Sequence, residues 1–292
     1  VMYQRNGLGK ALVVGRSNDV KAKLEEAGLG DAFRELEIVN AANTQHLSVY
    51  KDYLYERLQR KGYDSVDVHR LATRDRHVFS ALMLAHGHGD GLVTGATRKS
   101  AHVLELVNHV FDADAAHGAV GVTALLHKGR IVLMADTLVH EWPDENDLAT
   151  IAERGADVAR HLGLEPRVAF VSFSTFGYPV SERAEKMHIA PSVLKARGVD
   201  FEYEGEMTVD VALNAKSAEQ YPFSRLSGPA NILVVPARHS ASISVKLMQE
   251  LAGATVIGPI LSGIDKSIQI CSTNSTANDI LNMAVLASCK VG

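Results

Sequence analysis

Cysteine is scarce in this chain, with Cys271 and Cys289 the two among 292 residues. That usage fits a reducing compartment and excludes a disulfide-stapled scaffold; one bridge between the pair stays open but is disfavoured. Tryptophan occurs once, at Trp142. No apolar run approaches the ~20 residues a membrane helix needs, and no signal peptide is present. The expectation is a soluble, cytoplasmic protein with no membrane partner. Basic blocks and aromatic–basic alternation are also missing, and the net charge of −4 is spread along the chain. A nucleic-acid partner is therefore not expected. There is no Gly-x-Gly-x-x-Gly, no Gly-Lys-Ser/Thr phosphate loop and no Gly-x-Ser-x-Gly elbow. Internal repeats and Pro/Gly-rich linkers are lacking too.

The chain begins at Val1 rather than Met. "YQRNGLGKALVVG" reads as the tail of one element leading into a strand, which suggests a fragment of a longer polypeptide. Loss of a short leader would give the same beginning.

What the chain does contain is apolar. Hydrophobic residues make up 46% and charged residues 22%, ample for one large or two ordinary domains. Short runs rich in Val, Ile and Leu lie at 10–15, 91–95, 118–126, 130–136, 167–174 and 231–237, as expected of strands buried on both faces. Amphipathic segments at 17–28, 148–163 and 242–253 separate them. Ser17 suits a helix N-cap, and Gly28 suits a left-handed C-terminal residue. Strands alternating with helices predict layered α/β structure with a mainly parallel sheet.

Several stretches could carry chemistry. In "AHGHGDG" (85–91), His86 and His88 lack further metal ligands at a sensible spacing, so a helix end and turn is favoured over a metal site. "TGATRKS" (94–100) follows a strand; Arg98 with a helix N-terminus could hold phosphate, and an ordinary cap is an equal reading. Asp136 and Thr137 end a strand, where open α/β sheets place ligands. Asp144 and Asp147 are expected to cap the next helix, and Trp142 to pack at the surface. "SFSTFG" (172–177) is a second candidate wall. Arg238 and His239 in "VPARHSASIS" could form an anion site or simply start a capped helix. Lys266 could neutralise a phosphate or face solvent.

"DGLVTGATRKSA", "MADTLVHEWP", "RVAFVSFSTFG", "VDFEYEGEMTVDVALN", "PFSRLSGPANILVVP", "GATVIGPILSGIDKSIQI" and "ANDILNMAVLAS" occur in one order and register. Together they resemble the phosphate acetyltransferase (phosphotransacetylase) family. "YPFSRLSGPANILVVPARHSASIS" followed by "QELAGATVIGP" is similar to the phosphotransacetylase-like C-terminal domain of bacterial NADP-dependent malic enzymes. The resemblance implies two three-layer α/β domains of the isocitrate/isopropylmalate dehydrogenase kind with a cleft between them. It suggests a first domain of 1–125 plus 269–292 and a second of 126–268. By the same comparison, the first strand and helix of the first domain are missing.

Active members of that family move an acetyl group between acetyl phosphate and the thiol of coenzyme A. Their last motif, Lys-Pro-Val-Asn-Asp-Leu-Ser-Arg-Gly with an Asp five residues beyond, supplies a Ser, a phosphate-binding Arg and an Asp that helps deprotonate the thiol. Here Lys266 begins the corresponding stretch, Ser272 and Asp279 match, and Thr273 replaces the Arg. A second basic residue is replaced within "AHGAVG" (116–121), and the Pro-Asp-Leu-Asn-x-Gly-Asn motif has become Pro236-Ala-Arg-His-Ser-Ala-Ser242. The resemblance thus implies a cleft for acetyl-CoA or CoA drawing on Ser272, Thr273, Asp279, Thr137, Arg98, Arg238 and Lys266, with transferase chemistry lost. It implies acetyl-CoA as allosteric effector, with the hinge between domains as the element it biases. It also implies a malic enzyme catalytic domain in the same polypeptide, there using NADP and a divalent metal, and a homodimer or higher homo-oligomer. No cofactor or metal is expected in this domain itself. A working phosphate acetyltransferase is the alternative.

Overall fold

The computed structural model describes residues 1–112 and 118–289, which form two compact units. The first comprises residues 1–112 and 265–289, the second residues 118–264. In chain order the first unit contains α1 (Met2–Arg5), β1 (Leu12–Val14), α2 (Ser17–Glu26), β2 (Glu37–Val39), α3 (Leu47–Leu58), α4 (Ser65–Arg74), α5 (Arg76–Ala85), β3 (Gly91–Gly95) and α6 (Ser100–Val107). The second holds β4 (Val120–His127), β5 (Arg130–Ala135), α7 (Glu145–His161), β6 (Arg167–Val171), α8 (Glu182–Arg197), β7 (Glu202–Met207), α9 (Val209–Leu213), α10 (Ala215–Ala218), β8 (Ile232–Val234), α11 (Arg238–Ala252) and β9 (Thr255–Ser262). The chain then returns to the first unit with β10 (Ser267–Cys271) and α12 (Ala277–Ser288).

In the second unit six strands form one sheet in the order β7-β6-β8-β5-β4-β9. β5, β8, β6 and β7 run parallel, whereas β4 is antiparallel to both β5 and β9. The expected mainly parallel arrangement therefore holds for four strands and gives way to a mixed sheet. The cause is local. Lys128 and Gly129 both take positive φ (48° and 74°), the signature of a two-residue hairpin turn, which can join only antiparallel strands. Side chains alternate across this sheet. Met134, Ala169 and Leu233 join a core with Ala241 and the partly buried Val245 and Met248 of α11. Their neighbours face α7, where a Cβ on Gly155 would lie 2.9 Å from Ile232. The unit is thus three-layered, with β6 fully buried at Val168, Ala169 and Phe170.

α7 starts with a capping box: the Asp144 carboxylate accepts from the Asn146 and Asp147 N–H groups, while Asp147 accepts from the Asp144 N–H. This is the structural role anticipated for those two acids. Arg197 ties α8 to α7 through Glu153 at 2.5 Å, the Thr150 hydroxyl and the Asn146 carbonyl.

The first unit has two separate two-stranded parallel sheets, β1–β2 and β3–β10, rather than one continuous sheet. Tyr50, Leu54, Leu58, Val78, Phe79 and Leu82 form part of its helical core. The unit boundaries differ from 125 and 269 because strand pairing moves them. All of β4 pairs within the second unit's sheet, and all of β10 pairs with β3, from Ser267 opposite Gly91 to Cys271 opposite Gly95. Among the described residues no helix is long and apolar enough to cross a membrane.

Candidate functional site

In the first unit, β3 and β10 end side by side, and the residues that follow them share the carboxyl edge where parallel sheets bind ligands. A Cβ on Gly95 (φ +104°) would collide with the Cys271 carbonyl, so only glycine lets the two strand ends approach this closely. Beyond Cys271 the chain turns: the Ser275 N–H donates to the Ser272 carbonyl at 3.2 Å, and the two hydroxyls lie 3.2 Å apart. Thr273 is exposed on this turn and brings no charge.

Asp279 lies on the first turn of α12, and one of its carboxylate oxygens, Oδ2, is engaged at the helix start. It accepts from the Thr276 N–H and the Thr276 hydroxyl, both at 2.8 Å, while the Thr276 oxygen accepts from the Asp279 N–H at 3.2 Å. This reciprocal capping box satisfies two helix-end donors. Thr276 is therefore the cap, and Asp279 is its partner. Cys271 is buried, and burial, with the charge of Asp279 adding, pushes its thiol up to about 11. At neutral pH it is a packed thiol and not a nucleophile.

Arg98 follows β3 at the same edge. Its Nη1 donates to Asp75 at 2.7 Å, and the other Asp75 oxygen caps α5 through the His77 and Val78 N–H groups. His77 is tied to Thr94 of β3 at 2.7 Å, and burial lowers its pKa, with Asp75 opposing and Arg98, Arg76 and His102 reinforcing the shift. Arg98 is thus a positive charge held in place on a buried carboxylate, with 43% of its side chain exposed. Lys266 is elsewhere. It precedes β10, roughly 20 Å from Ser272 by strand rise, and is exposed. The structure therefore does not bring Lys266 to the edge that holds Ser272, Thr273, Asp279 and Arg98.

In the second unit the loop leaving β5 is built on Asp136, which is 2% exposed. Its carboxylate accepts from the backbone N–H groups of Gly121, Leu138, Val139 and His140 and from His140 Nδ1 at 2.7 Å. The Asp136 hydrogen bond raises the His140 pKa, burial opposes it, and the charges of Asp136, Asp147 and Asp144 add to it. Thr137 turns its hydroxyl inward, donating to the Gly121 carbonyl at 3.0 Å and meeting Thr123 at 2.8 Å. Its role is to tie the loop to β4. Gly121 is needed there because a Cβ would come within 2.5 Å of Leu138.

Arg238, at the start of α11, reaches back to this loop. Its Nη1 donates to the Leu138 carbonyl at 3.1 Å and its Nη2 lies 3.5 Å from Glu141. The guanidinium is thus held against the protein's own β5 loop. Trp142 is 72% exposed and its ring lies 5.0 Å from that of His239.

The "SFSTFG" segment follows β6. Beside it Glu206, 1% exposed, accepts from the Gly177 N–H at 2.8 Å and pairs with His188 Nδ1 at 2.9 Å. Burial pushes its carboxyl up, yet Gly177, His188 and Ser174 outweigh that, and the net pKa is lowered. A cavity of 470 Å³ lined by Pro179, Val180, Ala184, His188 and Glu206 opens next to this pair.

His86 and His88 occupy the turn between α5 and β3. His86 Nδ1 donates to the Leu82 carbonyl, and His88 Nδ1 lies 2.5 Å from the Tyr50 hydroxyl. Among the described residues no group of three or more His, Cys, Asp or Glu side chains is placed to hold a metal ion. The position of the replaced basic residue in "AHGAVG" includes residues 116–117, which lie outside the described residues.

Sequence reasoning missed the Asp136–His140 pair, the Asp75 anchor of Arg98 and the Glu206–His188 pair. The first had a signal in its four-residue spacing within "MADTLVHEWP". The other two join residues 23 and 18 positions apart, and nothing local announces such partners.

The family described as phosphate acetyl/butaryl transferase matches residues 1–288. An NADP-dependent malic enzyme of Rhizobium meliloti is 49% identical over the whole chain, which spans 38% of that enzyme's length. A phosphate acetyltransferase of Bacillus subtilis is 28% identical over 96% of the chain and 86% of its own length. The crystal structure of a phosphotransacetylase from Streptococcus pyogenes superposes with a TM-score of 0.90 at 26% identity, covering 99% of this chain and 88% of that one.

Proposed function

We propose that this chain, which belongs to the phosphate acetyl/butaryl transferase family, is the phosphotransacetylase-like C-terminal regulatory part of an NADP-dependent malic enzyme. It binds acetyl-CoA as an allosteric effector and no longer transfers acetyl groups. The parent enzyme converts malate oxidatively to pyruvate with NADP and a divalent metal, both held by its catalytic domain. The 49% identity to a malic enzyme over the full chain supports the parentage. Each unit, on this reading, is a layered domain of the isocitrate/isopropylmalate dehydrogenase kind.

The observation that carries the loss of chemistry lies at the end of β10. Acetyl transfer needs a base for the coenzyme A thiol and a cation for the charge that develops on the acyl oxygen. The residue aligned with the cation is the uncharged Thr273, and the aligned base, Asp279, accepts two hydrogen bonds from Thr276. Removing one preorganised charge costs about 3–4 kcal/mol, or two to three orders of magnitude in rate. Binding needs less. Ser272 and Ser275 offer hydroxyls, and Arg98 a fixed charge for a phosphate group.

Regulation requires that acetyl-CoA bind one conformation of the enzyme more tightly than another. Calorimetric titration of the chain with acetyl-CoA should show saturable binding, and thiol release with added phosphate should stay at background. Absence of binding at millimolar acetyl-CoA would overturn the effector reading. The second reading is an active phosphate acetyltransferase, favoured by the presence of Arg98 at the same strand edge as Ser272. Turnover with acetyl-CoA and phosphate, abolished by Arg98→Gln, would establish it instead.

A further inference from the structure

Arg98 is held by one nitrogen and open along one edge. Its Nη1 donates to Asp75 Oδ2 at 2.7 Å and lies 3.5 Å from His102 Nε2. Among the described residues, Nε and Nη2 meet no hydrogen-bond partner. These two N–H groups form the side-on fork of a guanidinium, the edge that grips a carboxylate or phosphate with two parallel bonds. The loop that carries Arg98 is fixed as well, since the Ala96 N–H donates to the Cys271 carbonyl at 3.1 Å. Asp75 is itself immobile. It is 9% exposed, and its Oδ1 caps α5 through the His77 and Val78 N–H groups, so the carboxylate cannot follow a swinging arginine.

We propose that Asp75 is a positioning residue, which pins Nη1 so that the Nε–Nη2 edge of Arg98 is presented, already oriented, to a phosphate group of acetyl-CoA. This deepens the effector reading above and rests on it. Two effects of Asp75 oppose each other. Its negative charge offsets part of the attraction between Arg98 and an anion. Its hydrogen bond removes rotamer freedom that a long side chain would otherwise lose on binding. The Arg98 side chain is 43% exposed, where water and salt screen a charge, whereas the entropy saved is not screened. Positioning therefore wins, and loss of the Asp75 charge weakens binding instead of strengthening it.

The test is a double-variant cycle read by calorimetric titration with acetyl-CoA, with circular dichroism and urea melts to show that each variant is folded. Arg98→Gln should weaken binding at least about tenfold through loss of a charge-assisted contact. Asp75→Asn keeps a side-chain oxygen for the α5 cap and removes the charge that holds Nη1. It should weaken binding about three- to tenfold. In the Arg98→Gln background, Asp75→Asn should have no further effect, because Asp75 acts through Arg98. A role confined to the α5 cap would weaken binding equally in both backgrounds, and that result overturns the proposal. So does an Asp75→Asn chain that binds as tightly as the unaltered one, or more tightly. Asp75→Ser, also a capping residue without charge, takes the place of Asp75→Asn if that variant does not fold. Failure of the unaltered chain to bind acetyl-CoA sinks the effector reading and this proposal together. Binding that is intact yet indifferent to Arg98 or to Asp75 sinks this proposal alone.

Discussion

The Asp136 carboxylate and the His140 imidazole form a closed pair, with Nδ1 2.7 Å from Oδ2, at the root of the loop that follows β5. The pair raises the His140 pKa above the ordinary 6.5. The folded state therefore favours the protonated imidazole. Its contribution to stability is complete below pH 6.5 and is lost as pH rises through the raised value. Urea melts of His140→Gln should fall short of the unaltered chain at acid to neutral pH, and the gap should shrink in alkali. A gap that does not change with pH would contradict this account.

Asp136 should matter more than its histidine. Asp136→Ala leaves four backbone N–H groups without their acceptor in a buried loop, and each such loss carries a desolvation cost. The expected destabilisation is more than about 3 kcal/mol, read from chemical denaturation.

His88 should behave in the opposite sense. Burial first, then the neighbouring His46 and His86, lower its pKa, so the fold favours the neutral ring that meets Tyr50. Its contribution is present above pH 6.5 and is lost as pH falls through the lowered value. His88→Gln should therefore flatten the acid limb of the stability–pH curve while leaving the alkaline limb alone. Melting temperatures measured from pH 8 downward will show whether it does.

Thr273→Arg restores the missing guanidinium at the turn after β10. Thiol release from acetyl-CoA in the presence of phosphate should rise at least about tenfold over the unaltered chain. No change would mean that the turn, and not the residue type, prevents catalysis.

The Thr276–Asp279 box gives a purely structural prediction. Thr276→Ala and Asp279→Ala should each cost about 1 kcal/mol. The double variant should cost less than their sum, because both act through one cap. Additive costs in a double-mutant cycle would show that the box is not a unit.

Much of this fold could be read from residues in order. The run Arg167–Val171 is apolar at every position but the first and becomes a strand buried on both faces. Asp144 and Asp147 announce the start of α7 by their spacing alone. The β7 strand escaped notice because Glu202, Glu204 and Glu206 interrupt its apolar pattern. Glu204 is tolerated inside because Arg225 pairs with it, and Glu206 because the Gly177 N–H and His188 hydrogen-bond it, all from distant positions. The antiparallel turn of β4 into β5 was missed for a smaller reason: Lys128-Gly129 is a two-residue signal lying between two runs that each resemble a parallel strand.

The sequence by itself determined the family, the placement of six strands and of helices α2, α7 and α11, and the replacement of an arginine by Thr273, since these depend on residue type and local period. Only the tertiary structure decided what the surviving residues do. Asp279 lends one oxygen to its own helix cap, Thr137 is tied to β4, Arg238 reaches back to the Leu138 carbonyl, and Lys266 stands at the far end of β10. Whether a side chain meets a ligand or the protein depends on the path of the backbone between distant residues. That path is set by strand pairing and core packing across the whole unit, and no local pattern encodes it.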